Sequence, residues 1–296
     1  MSRSVVYLNR GTSCCIRLLV SVYSLRRFYD GPVRLLQEGG LPEGMEEVLR
    51  DLCVDVVRIP ESEEPISVVK SSLWGHVKDE YAVFLDSDTL VCASLDELFA
   101  QLEKHGLVVT RFCDWDTSHP KINRRIRGWG SVVPEMIQPA LDYGSAVSSG
   151  VLGWQRGNPI LPEYEKLTRR GHAAGCDRVV LDEIAMQLLL PHFPHHLTDS
   201  SWNVSGQYGD VESAQVIHYH GSRHCRGDPR SDVWKRHYFE LWDRYPQHSV
   251  LLSCSLGDEC LEQFQRNVID LREDLTVVTN TPAVHRVSWT FYEMDS

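Results

Sequence analysis

Val83-Phe84-Leu85-Asp86-Ser87-Asp88 decides how this sequence is read. An apolar run that starts at Tyr81 ends on two carboxylates one residue apart, and Thr89-Leu90-Val91 is apolar again. A run of five apolar residues suits a strand covered on both faces of a parallel sheet. Two acids at such a strand end form a hard-oxygen site for Mg²⁺ or Mn²⁺. An ion held there neutralises a diphosphate and stabilises it as a leaving group. The same residues would also serve a strand-to-helix turn capped by Asp and Ser. A buried strand seldom ends on two acids, which weighs against that plainer use.

Towards the N-terminus, strand and helix periods alternate. Val5–Asn9 reads as a strand, Cys15–Tyr29 as a helix with Ile16, Leu19, Val20, Tyr23 and Phe28 at helical spacing, and Val33–Gln37 as a strand. Met45–Leu52 follows as a short helix, Asp55–Ile59 as a strand ahead of Pro60, and Val68–Val77 as a helix. This alternation predicts an open α/β sheet with right-handed crossovers and a ligand at the carboxyl ends of the strands. Towards the C-terminus, Ser94–His105 reads as a helix with a Ser94/Glu97 capping box, and Leu107–Thr110 as a strand. Phe112–Gly130, which carries Lys121, Arg124, Arg125 and Arg127, reads as a basic loop over the site. Ser148–Gln155 is expected as a strand, Pro162–Arg170 and Val179–Leu190 as helices, and His192–Gly209 as irregular chain. Val216–His220 is expected as a strand and Asp232–Tyr245 as an aromatic-rich helix. A soft boundary at Pro246 divides a main domain, residues 1–246, from a small βαβ extension, residues 247–296, packed on it.

The 296 residues are 42% hydrophobic and 24% charged, enough apolar material for a packed core. A net charge of −11 argues against a general nucleic-acid backbone binder, though not against a local basic groove. No apolar run approaches the roughly 18 residues of a membrane span. The start, Met-Ser-Arg-Ser-Val, lacks the apolar core of a signal peptide, so a cytoplasmic protein is expected. Nine cysteines without a CxxC pair read as reduced thiols in apolar segments.

A second chemical signal stands 130 residues beyond the two acids: Val216-Ile217-His218-Tyr219-His220-Gly221. A histidine closing a short apolar strand can ligate a metal, and Mn²⁺ accepts one imidazole among carboxylates better than Mg²⁺ does. Alone it would read as a satisfied histidine at a strand edge. Together the two signals resemble the GT-A glycosyltransferases, closest to glycosyltransferase family 8, in which a DxD motif and a downstream H-[FY]-x-G complete one metal site. The resemblance spans about residues 4–240. It implies a mixed, Rossmann-like sheet flanked by helices, a divalent cation on Asp86, Asp88 and His218, and a nucleoside diphosphate sugar, UDP-linked, as donor. Ser148-Ser149-Gly150-Val151 is similar to the family's N-[ST]-G-V strand along the sugar pocket, and Trp202-Asn203 matches its W-N pair. Asp177-Arg178-Val179-Val180-Leu181-Asp182 is similar to its D-Q-x-x-x-N helix, which implies Asp177 and Asp182 at the reacting centre. The family's K-P-W is absent, and Arg223, His224 and Arg226 stand in that region.

Tyr7, Asn9 and Gly11 follow the first strand and are expected along base and ribose. Lys70, Ser87, Gly150, Gly221 and Arg223 complete the expected donor contacts. Adjacent helix residues point about 100° apart, so of Asp182 and Glu183 one is expected to face the reaction, and Asp182 is the choice because the resemblance matches it to the family's polar position. Asp114 and Asp116 flank Trp115 and could hold sugar hydroxyls. The resemblance implies retention, whereas inversion would need a carboxylate base on the opposite face. The acceptor is a hydroxyl, a carbohydrate first and a modified nucleic-acid base second, and a homodimer is open. Two competing readings are a non-catalytic nucleotide-sugar-binding module and a nucleotidyltransferase. The latter would want a richer glycine loop than Asn9-Arg10-Gly11-Thr12-Ser13 offers.

Overall fold

The computed structural model describes residues 2–12, 14–113, 115–177, 180–206, 209–220 and 232–248. Nearly all of the expected C-terminal extension, along with Gly221, Arg223, His224, Arg226 and Asp114, lies outside the described residues.

The first half follows the expected alternation. Strand β1 is Arg3–Arg10, helix α1 Cys15–Leu25, β2 Val33–Glu38, α2 Met45–Asp51, β3 Val54–Ile59, α3 Ile66–Ser71 and β4 Tyr81–Leu85. The predicted helix after Pro65 is shorter than expected, because a 3-10 turn over Leu73–His76 takes its second half. β4 ends at Leu85, and β5 (Thr89–Val91) follows the acidic pair. Then come α4 (Asp96–His105), β6 (Leu107–Arg111), α5 (Pro120–Arg127), α6 (Pro134–Asp142) and β7 (Val147–Gln155). Helices α7 (Ile160–Ala173) and α8 (Leu181–Leu189), strands β8 (His196–Thr198), β9 (Val204–Ser205) and β10 (Val216–His218), and helix α9 (Asp232–Arg244) complete the described chain.

Some expectations need correcting. The stretch 192–209, expected as irregular chain, holds the short strands β8 and β9. The basic stretch read as a loop contains α5. The His119 side chain accepts from the Lys121 N–H, Pro120 stands at the first turn, and Ile122 and Ile126, four residues apart, are buried. Four cations masked this two-residue apolar stripe.

Seven strands form one mixed sheet in the order β3-β2-β1-β4-β7-β6-β8, with β7 antiparallel to both β4 and β6. Alternation along each strand sends side chains to opposite faces. Val5 and Tyr7 of β1 and Tyr81, Val83 and Leu85 of β4 join the core beneath α1 and α4. Val6, Leu8, Ala82 and Phe84 join the core beneath α8. This double coverage explains the unbroken apolar runs that the sequence shows.

A smaller sheet, β5-β10-β9, stands beside the first. β5 leaves the main sheet directly after the two acids and pairs antiparallel with β10, with Thr89 opposite His218. A β-bulge in β7 is a second device beside this switch from β4 to β5. The register against β6 jumps from Val109↔Leu152 to Thr110↔Ser148, which leaves Ser149, Gly150 and Val151 without a β6 partner. Among the described residues no helix is long and apolar enough to cross a membrane.

Candidate active site and metal centre

The switch from β4 to β5 and the bulge of β7 meet at one place. The Asp86 N–H donates to the Gly150 carbonyl at 2.9 Å, and the Tyr219 N–H donates to the Asp88 carbonyl at 3.0 Å. The strand carrying His218 is thereby fastened to the acidic turn. One ligand atom each from Asp86, Asp88 and His218 lies within 4.8 Å of the others. His218 Nε2 is 3.1 Å from Asp88 Oδ1 and 3.7 Å from Asp86 Oδ2.

The donor set, two carboxylates and one imidazole converging on a point, fits a divalent cation. The local packing fits it too. A Cβ placed on Gly150 would lie 2.3 Å from His218 Nδ1 and 3.3 Å from Asp86 Oδ2, so glycine is needed for the imidazole to reach the acids. Burial favours the neutral form of Asp86 and raises its pKa, an effect offset by Lys70 and His218. For His218, burial opposes the charge, but Asp88 and Asp86 outweigh it and raise the pKa.

The three residues line a cavity of about 800 Å³ at the carboxyl ends of β1 and β4. Its strand-side wall holds Asn9, Phe84, Ser148 and Ser149, together with Lys70 of α3. Lys70 Nζ donates to both Asp86 oxygens at 2.8 and 2.9 Å and to Ser149 Oγ at 3.2 Å, and lies 3.3 Å from Asp182 Oδ2. Burial opposes its charge, yet Asp86 and Asp182 hold its pKa above the usual lysine value. Ser149 Oγ donates to Asp182 Oδ2 at 2.7 Å. The bulge thus serves the site twice: Ser149 orients Asp182, and Gly150 clears space for His218.

The opposite wall comes from helices. Asp182 and Glu183 occupy the first turn of α8, where acids meet the positive end of the helix. Both line the cavity: the helix end abuts it, so neighbouring side chains splay into it. Burial, reinforced by Asp182, pushes Glu183 up to about 7, against Arg125, Lys70 and His218. Arg125 of α5 lies 3.5 Å from Glu183 Oε1. Arg10, Arg17, Lys121 and His220 also line the cavity. Arg10 is paired with Glu38, and Arg17 donates to the Cys14 thiol at 3.2 Å. His220 adopts a left-handed backbone (φ 49°) and its ring lies 4.0 Å from that of His218.

Other expected site residues fall elsewhere. Tyr7 is wholly buried in the core and its hydroxyl meets Ser21 at 3.0 Å, so it does not line the cavity. Asn9 and Ser87 do line it, whereas Gly11, with φ at 59°, forms the turn after β1. Asp177 is exposed ahead of α8 and is absent from the cavity wall. Asp116 is exposed and caps its own turn through Ser118 and His119.

A switch-point cavity over a mixed α/β sheet, with an acidic turn leading into a second small sheet, is the architecture of the GT-A glycosyltransferase fold. Among solved structures, the chain matches the galactosyltransferase LgtC, determined in complex with donor and acceptor sugar analogues. The identity is 14%, the match covers 81% of this chain and 95% of that one, and the TM-score is 0.55. It also matches the glycosyltransferase GlyE of Streptococcus pneumoniae TIGR4 at 16% identity, covering 84% of this chain and 64% of that one, with a TM-score of 0.58. The bifunctional glycosyltransferase WbbM matches at 12% identity over 82% of this chain and 50% of its own, with a TM-score of 0.55. At these identities the likeness is one of fold. No protein-family model and no curated protein matches the sequence.

Proposed function

We propose that this chain is a metal-dependent glycosyltransferase that moves a hexose from a nucleoside diphosphate sugar to a hydroxyl acceptor. The observation that carries the reading is the convergence of Asp86, Asp88 and His218 in a cavity of nucleotide-sugar size at the strand ends of this fold. UDP as the nucleotide rests on the resemblance to family 8, and Mn²⁺ as the ion on the mixed oxygen and imidazole donors. A divalent cation on these three residues would supply positive charge to the departing diphosphate.

The chain's own residues do the rest. Lys70 holds Asp86 in place and adds a fixed positive charge to the cavity wall. Asp182, tied to Ser149 and Lys70, is spoken for electrostatically and orients that lysine. Arg125 and Lys121 offer positive charge from the other wall, where negative charge develops as the sugar departs. Retention of configuration follows from the resemblance. A second reading, inversion, draws on Glu183: a buried carboxyl near pH 7 suits a general base. The anomeric configuration of the product, read by proton NMR, separates the two. The carbohydrate acceptor, the homodimer and the cytoplasmic setting remain part of the proposal.

The test is nucleotide release from UDP- and GDP-sugars in the presence of Mn²⁺. Release from one donor that is lost with chelator and in Asp88→Ala supports the reading. Nucleotide binding without release favours the non-catalytic nucleotide-sugar-binding module, and absence of both overturns the metal-site reading.

A further inference from the structure

Behind His218 runs a chain of hydrogen bonds that leads away from the cavity. His218 Nδ1 meets Asn203 Oδ1 at 3.0 Å. Asn203 Nδ2 donates to Thr110 Oγ1 at 3.0 Å. The Thr110 hydroxyl faces two carbonyls, Val151 at 3.1 Å and Ser148 at 3.4 Å. Thr110 and Asn203 are buried, so water does not substitute for these partners.

The protons in this chain have one consistent arrangement. A carbonyl oxygen accepts and never donates, so the single Thr110 proton points at the β7 bulge. Thr110 Oγ1 must then receive from Asn203, which fixes the amide with its NH₂ towards Thr110 and its oxygen towards His218. Two acceptors do not bond, so His218 Nδ1 carries a proton. A neutral ring then has its lone pair on Nε2, the nitrogen that faces Asp88 and Asp86. An imidazole must present such a lone pair to bind a metal, and the group behind it sets which nitrogen does so.

From this geometry we infer that Thr110 and Asn203 are positioning residues that set the tautomer of His218 and so prepare it as a metal ligand. This inference rests on the metal-site reading of Asp86, Asp88 and His218.

Two substitutions at Thr110 separate this role from packing. Thr110→Val keeps the shape and removes the hydroxyl, whereas Thr110→Ser keeps the hydroxyl and removes a methyl. The expected result, by calorimetric titration with Mn²⁺, is an affinity about 10–100-fold weaker in Thr110→Val and near wild type in Thr110→Ser. Asn203→Leu should weaken binding like Thr110→Val. Equal affinity in Thr110→Val and wild type, or equal loss in Thr110→Val and Thr110→Ser, overturns the inference. Nitrogen-15 NMR of the metal-free wild-type chain, at a pH where the ring is neutral, tests it without a variant. Protonated Nδ1 is expected, and protonated Nε2 contradicts it. If wild type binds no Mn²⁺, the metal reading fails by itself, and the NMR result still decides where the proton sits.

Discussion

The two walls of the cavity hold their charged groups in different ways. On the strand side, each group has several partners: Lys70 meets Asp86, Ser149 and Asp182, and His218 meets Asn203, Asp88 and Asp86. On the helix side, Arg125 reaches Glu183 at 3.5 Å, and the exposed Lys121 lies 5.9 Å from the centre of the Trp115 ring. Strand ends are fixed by registers on both sides, so their side chains are pre-organised. A short helix such as α5 has two buried isoleucines to hold it. Under the proposed function, the strand wall would hold the ion in a fixed place. The helix wall, held by fewer contacts, would be the one free to shift as substrate binds.

That assignment can be broken from either side. The largest effect is expected on the strand wall: Asp88→Ala and His218→Ala should each weaken Mn²⁺ binding by more than about a hundredfold, since even outer partners of metal ligands cost 10–100-fold. Titration calorimetry checks this. Lys70→Met comes next. It strands Asp86 and Asp182 without their buried cation, at about 3–5 kcal/mol of stability, measured by denaturant unfolding. Gly150→Ala forces a methyl into the imidazole of His218 and should cost about 1–3 kcal/mol, with a matching loss of Mn²⁺ affinity.

The helix wall should answer more gently, and with a pH signature. Glu183 titrates at about 7 in the folded chain against an ordinary 4.5, with Arg125 of α5, Asp182 of its own helix, Lys70 of α3 and His218 of β10 acting on it. Because its folded pKa is raised, the folded state binds the proton more tightly than the unfolded one. Its contribution to stability is therefore fully present below about 4.5 and is lost as pH rises towards about 7. Glu183→Gln should flatten the stability profile in that window, as urea unfolding across pH would read. An unchanged profile would place the carboxyl in contact with water and blur the contrast between the walls.

Much of this arrangement was legible in the chain. The five-residue apolar strand ending on Asp86 and Asp88 is recognisable because burial on both faces leaves no polar positions to confuse the pattern. The alternation ahead of it gave the parallel half of the sheet for the same reason. The partnership with His218 was suggested by resemblance, but its cause, the pairing of Thr89 with His218, is a register between residues 129 positions apart that no local pattern encodes. The bulge at Ser149–Val151 was equally invisible, although its residues build the floor of the site. Asp182 is preferred to Glu183 in the sequence because it matches the family's polar position, whereas the way a cavity wraps a helix end is a tertiary fact. Helix α5 was hidden by its own charge.

The central claim is that Asp86, Asp88 and His218 hold a divalent cation for a nucleoside diphosphate sugar. Titrating the chain with Mn²⁺ in the presence and absence of UDP tests it most directly. The account predicts one Mn²⁺ per chain, bound more tightly with UDP than without it and lost in Asp88→Ala. Binding that is absent, or that survives in Asp88→Ala, would contradict it.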